Sequence, residues 1–204
     1  MIEREIKKLE LQNGLVPFDE WFDSLHDQRM QWAIDARLAR VRAGNFGDCK
    51  SAGGGVFELR IKLGPGIRVY YGLRGQEVVV LLGGGDKSSQ PRDIRRAQQL
   101  WQQYKNMRLK NYRDDLLKRL EDPHYAAEYL AQVLAEKDSA AFLIALKDVV
   151  EAGGGVGHLA GRVGLKRPSL YKILSKNGNP TLETLQEILK PLGLRVSVVL
   201  DNAA

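Results

Sequence analysis

Two sets of side chains in this sequence could do chemistry on a phosphate-bearing partner. The first lies in residues 56–90, VFELRIKLGPGIRVYYGLRGQEVVVLLGGGDKSSQ, and consists of Arg60, Lys62, Arg68, Tyr70 and Lys87. Guanidinium forks bind phosphate oxygens two at a time, and a phenol or amine can move a proton or orient a ligand. Strand side chains alternate with period two, so Arg60, Lys62, Arg68 and Tyr70 are expected on one face of a sheet. Phe57 and Tyr71 fall on the opposite, core side. A purely structural alternative pairs Arg60 and Arg68 with Glu58 and Glu77 across that sheet. The second set lies in residues 156–177 and consists of Lys166, Arg167, Ser169, Tyr171, Lys172, Lys176 and Asn177. On the outer face of a short helix these can reach DNA phosphates and base edges in a major groove.

The elements that must hold the first set follow from periodicity. Phe57, Leu59, Ile61 and Leu63 alternate with polar residues, then Ile67, Val69 and Tyr71 do so, and residues 78–82 are apolar throughout. With turns at Gly64-Pro65-Gly66 and Arg74-Gly75-Gln76 this reads as an antiparallel meander whose last strand is buried on both sides. An opening strand is expected in residues 1–11, a helix after Pro17, and another from about Gln28 to Ala43. In that second helix Arg37, Arg40 and Arg42 read as a solvated face. Residues 83–90, GGGDKSSQ, lack the GxxxxGK[ST] spacing of a nucleotide-binding loop, and the glycines read as close backbone turns. A helix follows over residues 90–105, completing a β-α-α-β-β-β-α order.

Residues 105–113, KNMRLKNYR, are polar, basic and aperiodic, and mark the expected boundary between domains at 1–105 and 112–204. Beyond it the pattern is helical. Leu159, Val163, Leu165, Leu170 and Ile173, with Ala160 at a close crossing and Gly164 at the turn, have helix-turn-helix spacing. A structural helical hairpin would share that spacing, and the basic outer face is what favours DNA. Thr181 should cap a closing helix, and residues 195–200 alternate as a terminal strand that needs a partner, such as a second copy of the chain. The expected class is α+β: an antiparallel sheet with helices, then a mostly helical domain ending in a strand.

Composition sets the outer limits. The 204 residues carry 31 Lys+Arg against 25 Asp+Glu, a net charge of +6 that permits nucleic-acid binding without demonstrating it. The single Cys49 excludes an intramolecular disulfide and a cysteine-only metal cluster, and His26, His124 and His158 are spaced too widely for a ligand motif. No metal or cofactor is expected. Apolar runs fall short of the roughly 20 residues that cross a bilayer, and MIEREIKKLE lacks a signal-peptide core. No membrane partner and a cytoplasmic location are therefore expected.

With these residues in view, residues 1–105 resemble RelE/ParE-superfamily toxins of the HigB-like branch, through ELR at 58–60, GPGIRVYY at 64–71 and LLGGGDKSSQ at 81–90. Residues 112–204 resemble HigA-like antitoxins of the Xre helix-turn-helix type, through DDLLKRLEDPHYAAEYL at 114–130 and GNPTLETL at 178–185. The resemblance implies a type II toxin–antitoxin fusion. One half would be an mRNA-cleaving, ribosome-dependent endoribonuclease. The other would neutralise it and, as a homodimer, bind operator DNA. Its chemistry would be attack of an RNA 2′-hydroxyl on the adjacent phosphate, with Arg60 and Arg68 as the phosphate clamp and Tyr70, Lys62 or Lys87 as base, acid or orienting group. The family's catalytic tyrosine or histidine after the last strand has no counterpart near Asp86 to Gln90. An inactive toxin fold within a DNA-binding repressor, or a toxin aimed at gyrase, are the alternatives.

Overall fold

The computed structural model describes residues 3–198. The chain runs β1 (Glu5–Glu10), α1 (Pro17–Asp23), α2 (Gln28–Arg42), β2 (Cys49–Gly53), β3 (Val56–Ile61), β4 (Ile67–Arg74), β5 (Val78–Gly85), α3 (Gln90–Gln103) and β6 (Arg108–Asn111). Six helices follow: α4 (Tyr112–Arg119), α5 (Pro123–Ala135), α6 (Ser139–Ala152), α7 (Gly155–Val163), α8 (Arg167–Ile173) and α9 (Leu182–Leu189). The class is α+β, as the sequence implies.

The sheet order is β2-β3-β4-β5-β1-β6. The meander β3-β4-β5 is antiparallel, with Arg60 directly opposite Arg68 and Glu58 opposite Tyr70. The sheet as a whole is mixed, because β1 lies parallel to β5. The segment expected to be an aperiodic boundary supplies β6, which pairs antiparallel with β1 through Lys8↔Lys110 and Leu9↔Leu109. Four residues suffice for an edge strand, too few for a period-two signal to stand out. The expected terminal strand is not formed at residues 195–198. Its remaining residues, 199 and 200, lie outside the described region.

Each face of the sheet is covered differently. Ile6, Leu59, Ile61, Val69, Tyr71, Val79 and Leu81 join α1 and α2 and the helices behind them in one continuous core. Leu9, Val56, Tyr70, Val80 and Leu82 pack under α3 around Ala97, with Ile94, Leu100 and Trp101 alongside. That double cover is why β5 reads as an unbroken apolar run.

The glycines at the end of β5 make room for covering side chains. A Cβ on Gly84 would overlap the Trp21 indole, and one on Gly85 would overlap the Asp93 carboxylate. Gly84→Ala should therefore cost about 1–3 kcal/mol, the usual range for overpacking, read as a lower urea midpoint. An unchanged midpoint would mean that Trp21 yields freely.

Helix starts follow ordinary capping chemistry. Asp27, Asn111, Asp122 and Asp138 accept from the backbone N–H of Arg29, Arg113, His124 and Ala141 at 2.9 to 3.3 Å. Thr181 caps α9 as expected, its hydroxyl accepting from Thr184 N–H at 3.2 Å.

Candidate functional site

Arg60 and Arg68 meet on the sheet face under the start of α3, and what joins them is Glu58. Arg60 donates through Nε and Nη2 to Glu58 Oε1, both at 2.7 Å. The other oxygen accepts from Gln90 Nε2 at 2.9 Å and lies 3.7 Å from Arg68 Nε. Arg68 also donates through Nη1 to the Gly66 carbonyl at 2.9 Å. Glu58 is 2% exposed, so its charge is compensated by these neighbours rather than by water. Of the two carboxylates that sequence alone offered as partners, Glu58 takes both arginines; Glu77 pairs with neither side chain among the described residues. Two like charges facing each other across a strand pair repel, and a carboxylate between them makes the arrangement tenable. Glu58 was visible as a strand neighbour of Arg60, whereas nothing in the sequence announced Gln90.

Tyr70 departs from expectation. It shares the arginines' face, but α3 closes over that face and leaves the ring 1% exposed in the second core. Its hydroxyl is buried without a hydrogen-bond partner among the described residues. Burial, reinforced by the charges of Asp93 and Glu58, pushes the phenol above its ordinary value, which disfavours the phenolate a base would need. Tyr71 is buried in the core as expected, and Phe57 is half-buried against that core, its ring stacked on Tyr71 at 5.5 Å.

The two lysines stand apart from the arginine pair. Lys62 is exposed just past β3, on a groove shared with Arg37, Arg60, Asp48 and Glu136. Lys87 is exposed in the turn between β5 and α3. Asp86 organises that turn, accepting from Ser88 N–H at 2.7 Å and from Ser89 N–H at 3.2 Å. These bonds, that of the Ser88 hydroxyl first, hold the Asp86 carboxyl below its usual range.

The seam between the sheet and the C-terminal helices is where the structure departs furthest from the sequence pattern. Arg37, Arg40 and Arg42 are not solvated. Arg37 Nη2 donates to Glu136 at 3.0 Å, Arg40 bonds the same carboxylate, and Arg42 bonds Asp148. Asp148 is fully buried and also accepts from Arg113 Nε at 2.7 Å. Asp35, equally buried in α2, accepts from Arg119 at 3.0 and 3.1 Å, from the Tyr125 hydroxyl at 2.8 Å and from the Tyr112 hydroxyl. Burial and the Asp35 charge push both phenols well above their ordinary value. Lys8, 1% exposed, is held by Asp19 and Asp115. The partners lie about a hundred residues from the arginines, beyond the reach of any local pattern. One signal was available: Asp35 sits three positions after Trp32 on the apolar stripe of α2, where an unpaired acid would be untenable.

In the helix-turn-helix, Leu159, Ala160 and Leu170 are buried and Gly164 takes the left-handed conformation, φ 70°, at the turn. Val163, Leu165 and Ile173 are half-buried against the same core. Lys166, Arg167, Ser169, Tyr171, Lys172 and Asn177 are all exposed. Lys176 is half-buried, its ammonium without a partner among the described residues. Arg167 lies back across α7, its guanidinium against Gly157.

The fold is thus that of a mixed-sheet α+β unit sealed by helices that end in a helix-turn-helix. Residues 110–200 match the family described as "probable addiction module antidote protein". One uncharacterized protein of Haemophilus influenzae is 48% identical over 86 residues, spanning 42% of this chain and 87% of its own length. A second from the same organism is 37% identical over 70 residues, spanning 34% of this chain and 71% of its own length. No solved structure matches significantly. The match to the antidote family is thus confined to the C-terminal region, residues 110–200, and supports an antitoxin-like role for that region in a toxin–antitoxin system. Among the described residues no helix is long and apolar enough to cross a membrane.

Proposed function

We propose that this chain is a toxin–antidote fusion, in which a RelE/HigB-like half with an RNA-directed phosphate site is held by a DNA-binding half that represses its own operon as a dimer. The observation that carries the DNA arm is the outer face of α8. Leu170 anchors the helix inward, while Lys166, Arg167, Ser169, Tyr171 and Lys172 stand exposed behind the Gly164 turn. That is the placement a recognition helix needs. The RNA arm draws on the Arg60–Arg68 pair, two guanidiniums fixed side by side by a buried carboxylate, which suits a phosphodiester and its developing charge.

Arg167→Ala with Lys172→Ala should weaken binding to operator DNA at least about tenfold. It should also shrink the salt slope by up to about 2, near 0.9 for each duplex phosphate no longer neutralised. A gel shift across a salt series on the DNA upstream of the coding sequence reads both. Unchanged affinity would remove α8 as the recognition helix.

A second reading, an inactive toxin fold in a repressor, is favoured by the burial of Tyr70 under α3. Inhibition of cell-free translation separates the two. Inhibition by the full chain that is lost in Arg60→Ala with Arg68→Ala supports an RNA-acting site, whereas no inhibition by either supports the silent fold.

A further inference from the structure

We infer that the outward face of α3 is a track for the phosphodiester backbone of a single RNA strand, leading into the Arg60–Arg68 site; this rests on the RNA reading of that site given above. Along α3 the inward positions Ile94, Ala97, Leu100 and Trp101 pack on the sheet. The outward positions Arg92, Arg95, Arg96, Gln99 and Gln102 are exposed, and Lys105 follows in the next turn. Residues 91–111 contain one acid, Asp93. Asp93 is turned inward, where the Ser89 hydroxyl donates to it.

The contrast with α2 separates this face from an ordinary solvated one. Arg37, Arg40 and Arg42 of α2 each have a carboxylate on the packed helices. On α3 the nearest carboxylates are 3.6 Å from Arg92 and 3.9 Å from Arg96, both at well-exposed guanidiniums, and Arg95 has none among the described residues. Exposed pairs at such distances contribute little. Part of the chain's cationic excess thus lies on a face whose nearby carboxylates, Asp93 and Glu20, meet Arg92 and Arg96 only in long, exposed pairs.

Its position supplies the direction. Gln90, the first residue of α3, bonds the Glu58 carboxylate that holds Arg60. Gly85, against which Asp93 lies, is the strand partner of Arg68. The cationic row therefore begins at the two-arginine site and runs about 15 Å from Arg92 to Gln102 at 1.5 Å per residue. A single convex row of Arg and Gln grips one backbone, with charge for phosphates and amides for sugar and base edges.

The test uses the full chain, a short labelled single-stranded RNA and the operator duplex, with affinity for each measured across a salt series by fluorescence anisotropy. Arg92→Gln with Arg95→Gln and Arg96→Gln, all at exposed positions, should weaken RNA binding at least about tenfold. It should also reduce the RNA salt slope by about 2, near 0.7 for each single-strand phosphate engaged. Operator binding should be unchanged. Gln99→Arg should tighten RNA binding and steepen that slope. Equal RNA affinity and slope in the triple variant, no RNA binding by the unmodified chain, or loss of duplex binding in place of RNA binding would each overturn the track. Failure of the Arg60–Arg68 reading looks different: Arg60→Ala with Arg68→Ala would leave RNA binding intact while the triple variant still weakens it.

Discussion

Replacing Asp35 by alanine should destabilise the chain by about 3–5 kcal/mol, the range for breaking a buried ion pair from one side. All its partners are donors: the Tyr112 and Tyr125 hydroxyls and the Nε and Nη2 of Arg119. Tyr112 and Tyr125 are 1% and 3% exposed, so neither phenol can turn to water when the carboxylate is gone. Arg119 would keep its place over the Phe22 and Tyr112 rings, centroids 4.7 and 5.7 Å away, but these do not replace a counter-charge. For a chain of this size each kcal/mol moves Tm by roughly 2–4 °C, so a fall of about 10 °C is expected in a thermal melt. Asp35→Asn should recover only part of it, because whichever oxygen its amide NH2 replaces accepts from two donors, a tyrosine hydroxyl and Arg119. A melt of Asp35→Ala within a few degrees of the unmodified chain would show that the tyrosines and Arg119 find other partners.

The same residues mark where the sequence was legible. Period-two alternation placed Arg60 and Arg68 on one face correctly, because a meander with short turns leaves the register no freedom. Residues 155–173 were legible for a similar reason, since a small residue, a left-handed glycine and spaced apolar anchors are all local requirements. What could not be read was anything decided by a distant element. Tyr70 alternates like a surface residue and is buried because α3, some twenty residues later, folds over it. The arginines of α2 are spaced like a solvated face and are paired because α5 and α6 bring Glu136 and Asp148 to them. Lys8 lies in β1, inside the sheet between β5 and β6, and among the described residues it is held by Asp115 across the seam as well as by Asp19 of α1. These are pairings across the seam, and charge patterning within a helix carries no trace of them.

Those pairings lead to the second large effect: residues 1–105 expressed alone should not fold. Truncation there removes β6, leaving β1 as a new edge with its backbone groups unpaired on one side. It strips Asp35 of every donor and takes Asp148 from Arg42, Glu136 from Arg37 and Arg40, and Asp115 from Lys8. It also exposes the side of α2 now covered by Tyr125, Tyr129, Leu130, Val133 and Ile144, each a burial of about 1.5–3 kcal/mol. Against a typical net stability of about 5–15 kcal/mol, losses on this scale exceed what the remaining core can hold. The fragment should show a collapsed proton–nitrogen spectrum and no cooperative melt, while the full chain unfolds in one transition that involves both halves. A dispersed spectrum and a sharp melt from residues 1–105 would refute this and mean that the sheet is self-sufficient. If the fragment does not fold, its failure to arrest bacterial growth says nothing about the Arg60–Arg68 site. Removing the antidote half would then destroy the sheet domain instead of releasing it, so any activity toward RNA has to be sought in the intact chain.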